Sequence, residues 1–115
     1  YEMVKNKNIE KAVFHWYSGP IDVLSRIIHS GYFISVTPVL EYSKEHKLAA
    51  EQTPLENILI ETDSPVKYKT VTGETYIAEP KDVIRTLKHL SAIKKIPFDE
   101  LVQVTKENAV NLFNI

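Results

Sequence analysis

Cysteine is absent from this sequence. Disulfides and thiolate metal sites are thereby excluded, so any metal must be held by imidazole and carboxylate. The same absence suits a reducing, cytoplasmic setting. An excess of charge is lacking too: 14 Lys and Arg stand against 15 Asp and Glu, for a formal net charge of −1. That removes the broad electrostatic grip of basic nucleic-acid binders. It leaves open a phosphate-handling site whose bound cations supply the positive charge. No apolar run approaches about 18 residues, so no spanning helix and no membrane partner are expected. No charged-then-apolar leader pattern opens the chain.

What is present is ordinary globular composition, 43% hydrophobic and 25% charged, over 115 residues, enough for one compact domain. Residues 1–6 read as the last turns of a helix already under way, with no methionine at position 1. The expectation is a piece of a longer polypeptide.

Residues 11–16 form a short β-prone run. Ser18, Gly19 and Pro20 then offer a cap and a helix-starting proline. Ile21, Leu24, Ile27 and Ile28 recur at helical spacing, which predicts a helix over 20–30 closed by Gly31. Residues 32–37 are strand-like, 39–51 weakly helical, and 58–61 a third strand. Residues 62–79 read as one long loop, a feature that is uncommon in compact domains and often functional. A helix with Val83, Ile84, Leu87 and Leu90 as its stripe follows Glu79-Pro80 and ends at Pro97. Residues 98–115 are helical again, with a possible break near Thr105. Strands alternating with helices imply parallel β-α units. The expected fold is α/β: about three parallel β-α units of a barrel that needs about 250 residues for all eight.

Two strings carry chemistry: Ala-Val-Phe-His15-Trp-Tyr-Ser-Gly and Ile-Leu-Ile-Glu-Thr-Asp63-Ser-Pro. Each is an apolar β-prone run ending in a metal-ligand type and a turn signal, which is how α/β barrels place their sites at the carboxyl rim. Alternation of faces puts Val13 with His15, and Leu59 and Glu61 with Asp63, leaving Phe14, Ile58 and Ile60 toward helices. Each residue alone has a plain alternative. A histidine after an apolar run is commonly a satisfied structural residue, and Asp before Ser-Pro is a common turn. His29 lies late in its helix near Gly31, where a cation suits the dipole, and His46 and His89 read as surface residues. Lys81, Arg85, Lys88, Lys94 and Lys95 read as a solvated helix face.

These strings, with Glu79-Pro80 downstream and Asn108-Ala-Val-Asn-Leu-Phe at the end, resemble the TatD family of metal-dependent deoxyribonucleases along almost the whole sequence. The resemblance implies a TIM (β/α)8 barrel of which residues 1–115 are the C-terminal portion. It implies two divalent ions (Mg, Mn or Zn), DNA as substrate, and hydrolysis of phosphodiester bonds. On it, His15 binds one metal; Asp63 binds the other and serves as base. Glu61 orients a ligand imidazole from behind, its alternative being an ion pair with a basic residue outside these positions. Trp16 and Tyr17 fall where an aromatic pair could stack on a base or pack beneath the loop, the latter favoured for Trp16. The family's paired histidines, bridging glutamate and further histidine are not found in residues 1–115, and Ile77-Ala78 replace the arginine often seen before its Asn-Glu-Pro motif. Two alternatives stand beside this reading. One is an inactive half-barrel that self-associates or pairs with its other half as a binding or scaffold module. The other is a barrel hydrolase acting on amide or ester bonds.

Overall fold

The computed structural model describes residues 1–115. A short helix α1 (Glu2–Asn6) precedes β1 (Val13–Phe14), α2 (Ile21–His29) and β2 (Phe33–Val36). A 3-10 turn, Pro38–Glu41, leads to α3 (Lys44–Gln52) and β3 (Ile58–Ile60). Next come β4 (Lys67–Lys69) and β5 (Thr75–Ile77), then α4 (Val83–Lys94) and α5 (Phe98–Phe113). Strands β1, β2 and β3 form one parallel sheet in that order, with Phe14 level with Ile34 and Ser35 level with Leu59. The three parallel β-α units are those of a partial α/β barrel.

Local chemistry explains most boundaries. Gly31 takes φ +75 and lets the Tyr32 amide reach back to the Ile27 carbonyl, a helix stop that glycine favours. Residues 38–52 are two pieces where one weak helix was expected, because two caps start two elements. The Thr37 hydroxyl accepts from the Val39 amide, and the Ser43 hydroxyl accepts from the His46 amide. At Thr105 α5 continues unbroken. Its hydroxyl donates to the Leu101 carbonyl at 2.9 Å, sharing the i−4 acceptor of the helix without breaking it.

Residues 62–79 are not a plain loop. They hold an antiparallel hairpin with Tyr68 opposite Tyr76 and a turn at Gly73, φ +89. Tyr68 is buried against Val39 and Ala78, with Trp16, Val66 and Tyr76 beside them, so tertiary contact secures strands of three residues each.

The main core lies between the sheet and the helices. Leu24 and Ile27 of α2, Ile34, Val36 and Ile58 of the sheet, Ala49 and Ala50 of α3, Leu87 and Leu90 of α4 and Leu101 of α5 form it. Each fully buried Leu or Ile contributes about 1.5–3 kcal/mol. The expected stripe of α4 holds at Leu87 and Leu90, which are buried, and in part at Val83, but not at Ile84. Thr86 is buried and Ile84 exposed, because the Thr86 hydroxyl donates to the Glu61 carbonyl at 3.0 Å. The other sheet face, with Val13, Ser35 and Leu59, lines an open cavity of about 340 Å³ closed on one side by Thr105, Ala109 and Phe113 of α5.

Candidate metal centre

Both chemistry-bearing strings end at the same rim. His15 follows β1, and Glu61 and Asp63 follow β3. The Glu61 amide donates to the Val36 carbonyl at 2.9 Å and extends the sheet pairing by one residue. His15 Nδ1 is 2.6 Å from Glu61 Oε1, and His15 Nε2 is 3.5 Å from Asp63 Oδ2. A carboxylate only accepts, so the Nδ1–H donates to Glu61; with a cation between them, the Nε2 lone pair would face Asp63.

One donor atom from each of His15, Glu61 and Asp63 lies within 4.8 Å of the others. The set is one imidazole and two carboxylates, the hard and borderline donors that suit Mg, Mn or Zn. Two donors to one tetrahedral ion, with bonds of about 2.1 Å, stand about 3.4 Å apart. The His15–Asp63 spacing is close to that separation, so a cation, shared or one of a neighbouring pair, fits between them.

The site is part-buried rather than sealed: the His15 side chain is 55% exposed and that of Asp63 35%. Asp63 takes φ +51, in the left-handed region, as does Trp16 next to His15. Aspartate tolerates that region; for tryptophan it is an outlier costing on the order of 1–3 kcal/mol. The Ser64 amide donates to the Thr62 hydroxyl at 3.3 Å, which shapes the turn around Asp63.

Sequence reasoning missed Ser35. It sits on the inner face of β2 between the two ligand strands, is 4% exposed, donates to Glu61 and accepts from the Trp16 amide at 3.1 Å. Its signal was a lone hydroxyl in the apolar run Phe33-Ile-Ser-Val, in register with His15. Glu61 has no Lys or Arg partner; its contacts are His15 and Ser35.

Trp16 is packed under the hairpin, its ring centroid 5.8 Å from Tyr68 and 6.2 Å from His46. Tyr17 folds over its own loop, its hydroxyl donating to the Pro20 carbonyl at 2.7 Å. Burial pushes the Tyr68 hydroxyl up to about 12. His46 and His89, expected at the surface, are half-buried. His46 packs on Trp16, and His89 Nε2 lies 3.6 Å from the buried Glu41 carboxylate. The basic residues expected along one helix face make separate contacts. Arg85 pairs with Glu41 at 3.3 Å and lies over the Tyr76 ring, while Lys94 donates to the Glu51 and Thr53 carbonyls at the end of α3.

Parallel strands that bring an imidazole and carboxylates to one rim define a class, the metal-dependent hydrolases built on α/β barrels. Within that class the chain belongs to the TatD related DNase family, whose model matches residues 1–114. It is 29% identical over 113 residues to deoxyribonuclease TATDN3 of Homo sapiens, covering 96% of this chain and 39% of the relative. It is 31% identical over 101 residues to an uncharacterized metal-dependent hydrolase of Methanocaldococcus jannaschii, covering 88% and 39%. Among solved structures, a TatD homologue from Escherichia coli superposes with a TM-score of 0.86 at 25% identity, over 99% of this chain and 45% of that one. A TatD family hydrolase from Entamoeba histolytica shares the fold, with a TM-score of 0.79 at 24% identity, over 96% and 45%. The chain thus spans about two fifths of the length of the curated relatives it matches.

Proposed function

We propose that residues 1–115 are the C-terminal portion of a cytoplasmic barrel hydrolase that cleaves phosphodiester bonds of DNA. In this reading a two-metal site is completed by donors outside these residues. The observation that carries it is the His15 imidazole fixed at Nδ1 by Glu61 with Nε2 open toward Asp63. Support for DNA comes from the relatives' names, and support for a metal from the donor set.

His15 would hold one divalent ion through Nε2, and Asp63 the neighbouring one. A bound pair of cations supplies Lewis acidity at the phosphate and lowers the pKa of water. The chain's own groups do the rest. Glu61 and Ser35 keep the imidazole ring in one orientation and one tautomer, as partners of ligating histidines do. The Asp63 carboxylate accepts the proton of the attacking water, at the open, exposed side of the site.

The test uses the intact native polypeptide with end-labelled DNA. Chelation should abolish cleavage and added Mg, Mn or Zn should restore it. Asp63→Asn should lower turnover about 10²–10⁴-fold, the scale of a lost general base, with the circular dichroism spectrum unchanged. Metal-dependent cleavage persisting in Asp63→Asn would overturn the assignment. Turnover of amide or carboxylic ester substrates with none of DNA would point to another barrel hydrolase.

A further inference from the structure

The backbones of the two proposed ligand strands do not pair, and the His15–Glu61 side-chain contact joins them directly. Strand β2 lies between β1 and β3, so no backbone hydrogen bond sets the distance from His15 to Asp63. Ser35 ties Glu61 to the Trp16 amide on the inner face, but its bonds do not reach Asp63. One other side chain spans the gap. Tyr68 of β4 is 1% exposed, and its hydroxyl donates at 2.8 Å to the carbonyl of Thr62, the residue before Asp63. Its ring packs at 5.8 Å and 54° on Trp16, the residue after His15. The buried Thr37 side chain, just past β2, borders the same hydroxyl. A single phenol therefore meets the carboxyl ends of all three strands.

Both neighbours it holds are conformationally unusual. Asp63 and Trp16 each take φ +51, a region that side-chain-bearing residues keep only where the surroundings over-determine it. The Tyr68 hydroxyl fixes the peptide that enters Asp63. The Tyr68 ring fixes the indole that follows His15. We infer that Tyr68 is a positioning residue, holding the ends of β1 and β3 at the His15–Asp63 spacing that a cation requires. This inference rests on the hydrolase reading above.

The experiment measures Mn²⁺ binding by calorimetry on the intact native polypeptide, as wild type, Tyr68→Phe and Tyr76→Phe. Tyr68→Phe keeps the ring and removes only the hydroxyl. Its Mn²⁺ dissociation constant should rise about tenfold or more, the scale on which outer partners of metal ligands act. At saturating Mn²⁺, kcat should fall with KM unchanged. Tyr76→Phe removes a buried hydroxyl that has no partner, and its Mn²⁺ affinity should equal wild type. Equal affinity in Tyr68→Phe and wild type would overturn the inference, as would an equal loss in Tyr76→Phe. Should Tyr68→Phe fail to fold, Trp16→Phe decides. It removes an unpartnered buried indole N–H, so the fold is retained. It should weaken Mn²⁺ binding; unchanged affinity would overturn the inference. Wild type that takes up no Mn²⁺ would sink the hydrolase reading itself, and the positioning role with it.

Discussion

His15 stands between two carboxylates, 2.6 Å from Glu61 and 3.5 Å from Asp63, and the two contacts differ in kind. The shorter is a hydrogen bond that orients the ring; the longer separates two groups that face the space where the proposal puts the cations. Glu61→Gln tests that division. The amide oxygen still accepts from Nδ1 but without charge, so divalent-metal affinity should fall about tenfold with the melting temperature little changed. Titration calorimetry reads the outcome, and unchanged affinity would reduce Glu61 to packing. At this scale the sequence made His15, Glu61 and Asp63 legible, because an apolar run cut off by a ligand type marks a strand end. Ser35 and Tyr68 were not legible. Their roles come from register and from a hairpin folding back, and neither follows from spacing along the chain.

Among elements, the hairpin matters most. Its strands of three residues carry too little alternation to stand out in the sequence, although Lys-Tyr-Lys and Thr-Tyr-Ile flanking a Gly turn do alternate. A buried acid anchors it. Glu41, at the end of the 3-10 turn, accepts from the Val71 amide at 3.1 Å and faces Arg85 and His89 of α4. One carboxylate thus joins three elements beside the proposed site. Glu41→Ala leaves the Val71 amide unpaired and His89 without its acid, while Arg85 keeps only Asp82 at 3.7 Å. The cost should be about 2–3 kcal/mol, below the range for a fully buried pair because Arg85 is part-exposed. Urea unfolding measures it, and a loss under about 0.5 kcal/mol, the range of ordinary surface substitutions, would contradict the anchoring role. The helix α4 shows the complementary lesson. Its period was visible, but the buried position went to Thr86 because a strand-end carbonyl needed a donor.

For the molecule as a whole, the parallel sheet and its helix-side core were legible from alternating periods, while the caps at Thr37 and Ser43 overruled the single helix expected there. The inner face is the incomplete one. Its apolar cavity and the 63% exposed Phe113 fit the proposal that further strands of a longer barrel cover it. Folding also carries a pH signature. Burial, ahead of any charge, holds both His46 and His89 below the ordinary imidazole value of 6.5; at His89 the nearby Glu41 opposes the shift, and Lys47 and Arg85 add to it. The folded state then binds fewer protons than the unfolded state just below that value, so stability is complete above about pH 6.5 and declines as pH falls through the window. Melting temperature should drop between about pH 7.5 and about pH 5.5. The double substitution His46→Gln and His89→Gln should flatten the decline, and an unchanged slope would assign it elsewhere.

The central claim is that His15 and Asp63 share the coordination of bound cations, and anomalous diffraction at the zinc edge from zinc-soaked crystals of the intact polypeptide tests it most directly. The account predicts a peak about 2.0–2.2 Å from His15 Nε2, with the Asp63 carboxylate turned to that ion or to a second peak beside it, and Glu61 still on Nδ1. A rim without anomalous density, with His15 simply hydrogen-bonded between the two carboxylates, would contradict it.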